Sequence, residues 1–144
     1  YGTTGGASCI SGAPNEVWSY GEEVEKILSS YLFLRERMRP YVTERMREAH
    51  EKGTPVMRPL FYDFPKDTRC WEVEDQYLFG PSILVKPITD AGCRETSVYL
   101  PAGAKWTNAW TGETYDGGQT VTAAAPIAQI PLFTRDGFAL SVTQ

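Results

Sequence analysis

The sequence predicts an α+β chain: an N-terminal helical segment, kinked at a proline, followed by an antiparallel β-sandwich. Three observations predict it. Apolar residues recur at three- and four-residue steps over 22–52; two apolar runs bounded by Pro or Gly follow within 54–87. Beyond Pro87, short alternating segments are separated by Gly, Pro and Asp. With 144 residues, 42% of them hydrophobic, the chain can bury one core.

Residues 1–15 are rich in Gly, Ser and Thr without sustained periodicity, which predicts loop. Gly2, Gly5, Gly6 and Gly12 have neither the spacing of a phosphate loop nor its lysine, so no nucleotide cofactor is expected. The helical stripe then comprises Val24, Ile27, Leu28, Tyr31, Leu34, Met38, Tyr41, Val42, Met46 and Ala49. Glu22, Glu23 and Glu25 complement the dipole at its start, and Lys52 with Gly53 closes it. Pro40 removes a backbone donor and crowds the preceding turn, so two consecutive helices meeting near Arg39 are expected. Arg35, Glu36, Arg37, Arg39, Glu44, Arg45, Arg47 and Glu48 alternate in sign, which reads as a solvated, salt-bridged face.

In 54–87, Val56, Leu60, Phe61, Tyr62 and Phe64 form one expected strand region. Tyr77, Leu78, Phe79, Ile83, Leu84 and Val85 form another, with 66–74 as a loop crossing one end of a sheet. Further strands are expected at 97–100, 105–110, 114–115, 119–122, 127–133 and 138–142. The turn residues at 101–103, 111–112 and 116–118 each signal a hairpin. These strands can cover only part of the helical stripe. Something else should pack there.

A net charge of -4, without a one-sided basic cluster, excludes nucleic acid and anionic membrane surfaces as expected partners. A neutral partner such as a sugar is compatible with it, and so are four tryptophans. No apolar run approaches the roughly 20 residues of a membrane span. Cys9, Cys70 and Cys93 form neither a CxxC pair nor a metal spacing, and His50 is the single histidine, so no metal site is expected. Free thiols point to a reducing compartment, the cytoplasm. Ser8, Cys9 and Ser11 lack an elbow motif that would make one of them a nucleophile.

Three strings carry a family resemblance: GTPVMRPLFYDFP at 53–65, DQYLFGPSILVKPI at 75–88 and SVYLPAGAKWTNAWTGE at 97–113. In content and order, over residues 14–140, the chain resembles the C-terminal part of glycoside hydrolase family 31, the α-glucosidases and α-xylosidases. The resemblance implies that 1–53 is the end of a (β/α)₈ barrel, its helix being the last of that barrel, and that 54–144 is a β-sandwich domain. It also implies a retaining, double-displacement hydrolysis by two aspartates on earlier barrel strands, for which this chain has no matching segment. Such chemistry needs two carboxyl groups about 5–5.5 Å apart. The likeliest pair by sequence is within Glu72, Glu74 and Asp75, but this cluster lies between strands and matches a part the family does not use for catalysis, so no catalytic residue is expected here.

Aligned on PNEVW at 14–18, the family's sugar-contacting Arg and His fall on Ala7 and Cys9, with Trp18 as a wall beside that subsite. Cys9 and Trp18 are therefore the candidate substrate-binding residues, by position. The expected function is a support for the catalytic barrel of an α-glycosidase, inactive alone. Its expected partner is that barrel, or a second copy through the helix face. The alternative is a stand-alone, non-catalytic β-sandwich module that binds carbohydrate or protein; a long amphipathic helix ahead of the sandwich argues against it.

Overall fold

The computed structural model describes residues 3–5, 9–11 and 16–142. The chain divides into two compact units, 1–39 and 40–144.

In the first unit, β1 (Thr3–Gly5) pairs antiparallel with β2 (Cys9–Ser11), Thr4 opposite Ile10. This corrects the loop expected there. Three residues a side, Thr-Thr-Gly against Cys-Ile-Ser, are too few for an apolar alternation to register as a sequence pattern. A 3-10 turn at Val17–Tyr20 then leads into α1 (Glu22–Arg37), with Glu22, Glu23 and Glu25 in its first turn as expected. The helical segment breaks where the proline requires it. The Met38 N–H closes α1 on the Leu34 carbonyl at 3.0 Å, and α2 (Arg39–Lys52) begins one residue before Pro40. Pro40 thus occupies a first turn, where its missing donor costs nothing. Arg39 bonds back to Glu36 through Nε at 2.7 Å and Nη2 at 2.8 Å.

In the second unit, α2 ends at Gly53, whose φ of 68 and N–H bond to Ala49 make the predicted C-cap. The strands are β3 (Met57–Arg58), β4 (Tyr77–Phe79), β5 (Ile83–Val85), β6 (Glu95–Leu100), β7 (Lys105–Asn108), β8 (Thr114–Asp116), β9 (Gln119–Ala124) and β10 (Leu132–Arg135). They form a six-stranded sheet in the order β3-β4-β5-β10-β7-β8 and a two-stranded sheet β6-β9, with every described pairing antiparallel. One core joins both sheets. Leu78, Leu84, Trp106 and Phe133 come from the larger, and Val98, Leu100 and Ala123 from the smaller. Trp106 and Phe133 are fully buried, and the indole N–H of Trp106 is satisfied by the Pro101 carbonyl at 3.0 Å.

Helix α2 is tied to this unit by Tyr41. Its hydroxyl donates to the Phe79 carbonyl at 2.8 Å, and its ring packs against Phe138 at 5.1 Å between centroids. Gly80, at φ 62, makes room for it: a Cβ there would meet Tyr41 Oη at 2.2 Å.

Several expected elements differ. The first apolar run is not one strand, because Pro59 ends β3 after two residues and starts the single-turn α3 (Leu60–Asp63). Within the expected loop 66–74, Asp67 caps a 3-10 turn at Thr68–Trp71 by accepting the Arg69 N–H at 3.2 Å. Residues 127–131 lead into β10 without joining it, and 138–142 are irregular. Of the three turns expected to close hairpins, only Thr111-Gly112 does so, between β7 and β8; those at 101–103 and 116–118 carry the chain between sheets, since β6 pairs with β9. Turn residues mark reversals. They do not name the partner strand.

Candidate functional site

The carboxylate cluster is open to solvent. Glu72, Glu74 and Asp75 are all exposed, on the rim of a shallow depression of about 450 Å³ that also involves Gln76, Ser97 and Tyr99. The Asp75 carboxylate is held by the Lys86 ammonium, whose side chain is buried. That pair leaves Asp75 as the counter-ion of a buried lysine, not as a nucleophile. Nothing apolar encloses Glu72 or Glu74, as a general acid poised near neutrality requires.

The other sequence candidates are dispersed. The Cys9 backbone is in β2, opposite Gly5, while Trp18 stands 66% exposed in the Val17–Tyr20 turn. Ser11 shares β2 with Cys9; Ala7 and Ser8 lie outside the described residues. His50 is exposed in the last turn of α2. Among the described residues no group of three or more His, Cys, Asp or Glu could hold a metal ion, and no helix is long and apolar enough to cross a membrane. Cys70 and Cys93 are free thiols.

The polar organisation of the second unit centres on two side chains that the sequence did not single out. Gln76, buried, donates through Nε2 to the Tyr99 carbonyl at 2.9 Å and accepts the Tyr99 N–H at 2.8 Å through Oε1. Its amide thereby acts as one residue of an extra strand along the outer edge of β6. Asp67 is the second hub. It accepts from the Tyr99 hydroxyl at 2.7 Å and the Ala102 N–H at 2.8 Å besides capping the Arg69 turn. Burial works to raise the Asp67 pKa, but the bonds from Ala102, Tyr99, Arg69 and Cys70 outweigh it and hold the carboxyl below its ordinary range. The same arrangement acts in reverse on its donors. Burial first, then the Asp67 charge, pushes the Cys70 thiol up to about 12; burial and the bond to Asp67 likewise raise the Tyr99 phenol.

Arg58 forms a third anchor. Buried behind α3, it bonds Asp63 at 3.0 Å and the Pro55 carbonyl at 3.0 Å, and lies 5.3 Å from the Tyr62 ring centroid. These anchors hold a segment whose outer face stays apolar. Met57 and Trp71 are each 59% exposed and Tyr62 45%, while Trp71 stacks on Phe61 at 4.5 Å and 11°. On α1, Leu28, Leu32 and Phe33 are exposed as well.

Residues 53–140 match the family model described as the glycosyl hydrolase family 31 C-terminal domain. The chain belongs to family 31. An α-xylosidase of this family from a soil metagenome, solved with xylose, superposes with a TM-score of 0.86 and 51% identity, over 92% of this chain and 20% of that one. Alpha-glucosidase 2 of Bacillus thermoamyloliquefaciens is 36% identical over 88% of this chain and 16% of its own length. The alpha-xylosidase of Saccharolobus solfataricus is 35% identical over 88% and 17% respectively. The chain therefore spans a fifth or less of these family 31 relatives, in which the matching segment is part of a larger enzyme.

Proposed function

We propose that the chain is the C-terminal portion of a retaining α-glycosidase acting on α-linked xylosides or glucosides, and that it supports the catalytic barrel without supplying a catalytic carboxylate. The observation that carries this reading is the match to a fifth or less of relatives named for those activities. Two further facts support it: the cluster Glu72, Glu74 and Asp75 is solvated, with Asp75 tied to Lys86, and α1 presents Leu28, Leu32 and Phe33 outward. In this reading, residues up to 53 complete the barrel and 54–144 form the appended β-sandwich domain. Cys9 and Trp18 border the sugar subsite, Trp18 as an apolar wall and Cys9 in place of an imidazole.

The test is hydrolysis of chromogenic α-xyloside and α-glucoside by the 144-residue chain. No release of chromophore above the uncatalysed rate is expected. Sustained turnover, abolished by Glu72→Gln or Glu74→Gln, would place the chemistry in this chain and end the support reading.

A further inference from the structure

Beside the Asp67 hub, a depression of about 320 Å³ is lined by Asp63, Phe64, Pro65, Lys66, Asp67 and Arg135, with the 102–103 turn. This is within the volume range of small-molecule sites, at its lower end. From the geometry we infer that it is a carbohydrate site, binding one neutral pyranose unit of an α-linked oligosaccharide. The choice of sugar rests on the α-glycosidase reading above; the site itself rests on three features.

The first is charge. Asp63 and Asp67 oppose Lys66 and Arg135, and the groups that back two of them, Arg58 behind Asp63 and Asp136 beside Arg135, cancel in the same way. A lining with no net charge gives no advantage to a phosphate or an ammonium ligand. It suits a neutral polyol, whose hydroxyls donate to the carboxylates and accept from the cations.

The second feature is fixation. Asp63 is held by Arg58, Asp67 by three donors at 2.7–3.2 Å, and the Arg135 guanidinium lies 4.7 Å from the Phe64 ring centroid. These groups are placed before any ligand arrives, so little side-chain entropy remains to be lost on binding.

The third is an indole bonded to the backbone of the lining. The Trp71 N–H donates at 3.1 Å to the carbonyl of Pro65, one of the lining residues, and Phe61 covers one side of the ring. An indole that is bonded at its edge and stacked at its back, yet 59% exposed, is a rigid platform of the kind on which the C–H face of a pyranose packs.

The experiment is titration of the isotope-labelled 144-residue chain with xylose and with isomaltotriose, followed through the backbone amide resonances of Asp67, Ala102 and Gly103, which every variant keeps, and in the parent chain also through the Trp71 indole N–H, with sulfate as the anionic comparison. Saturable shifts are expected for the sugars at millimolar concentration and none for sulfate. Lys66→Ala and Trp71→Ala should each weaken the association about fivefold or more, whereas Trp71→Phe, which keeps an aromatic plane, should weaken it less. An unchanged spectrum at tens of millimolar sugar overturns the proposal. So does binding that survives Lys66→Ala and Trp71→Ala, or that is lost on Trp18→Ala instead. Hydrolysis decides the α-glycosidase reading and resonance shifts decide this site, so the two fail separately.

Discussion

Replacing Gln76 with Leu isolates what one buried amide contributes to holding the two sheets together. The side chain fits the same space, but both bonds to Tyr99 vanish, at 2.9 and 2.8 Å. Tyr99 is 5% exposed, so water has little access to replace them. Each buried backbone group left unpaired costs about 1–3 kcal/mol, which puts the destabilisation at about 2–5 kcal/mol after allowing for relaxation. With a urea m-value of about 1–3 kcal/mol/M for a unit of this size, the midpoint should fall by about 0.7 M or more. Gln76→Glu should fall further, because a carboxylate faces the Tyr99 carbonyl where the amide donated. Equilibrium urea unfolding followed by tryptophan fluorescence measures both. If Gln76→Leu unfolds within about 0.2 M of the parent chain at unchanged m, the β6 edge is satisfied by some other group and the reasoning fails.

Asp67 carries a pH signature. Its folded pKa is depressed, so its contribution to stability is present above the unfolded value of about 3.9 and is lost as pH falls below that through the folded pKa. Asp67→Asn should flatten the urea midpoint against pH in that acid window; an unchanged slope would show that Asp67 is not what titrates. Cys70, fully buried with its thiol raised to about 12, should resist a disulfide reagent at pH 8 until urea is added; peptide mass spectrometry reads the labelled position, and native labelling of Cys70 would contradict the burial. The isolated chain should sediment with a mass that grows with concentration and bind a hydrophobic dye, and Phe33→Glu, altering a 58% exposed side chain on α1, should reduce both. A dye-silent monomer at high concentration would remove the argument for a missing neighbour.

Much of this was legible because local physics decided it. Pro40 and Gly53 punctuate the helical segment through backbone constraints that no tertiary contact overrides, and α1 and α2 end where those residues require. β6 and β9 were visible as short segments bounded by turn residues at 101–103 and 116–118. Pairing was not, because the residues at 101–103 and 116–118 specify a reversal in direction, whereas the β6–β9 match depends on Val98 and Ala123 sharing a core with Trp106 and Phe133. The polar hubs escaped notice altogether. Gln76 and Asp67 lie in stretches that look like ordinary solvated loop, and their importance comes from facing Tyr99, 23 and 32 positions away. Only the signature Asp67-Thr68-Arg69, a capping aspartate two residues before a donor, could have hinted at one of them.

The break at Pro40 has a practical corollary for anyone wishing to excise the sheet-bearing half. A cut at residue 53, where the family match starts, discards Tyr41 and with it the lid over Phe79, Phe138 and the bare backbone at Gly80. A cut immediately ahead of the proline retains that lid and leaves a terminus already stiffened by its ring. The shorter gene would encode the matched segment alone; the longer one keeps the side chain that covers its exposed backbone.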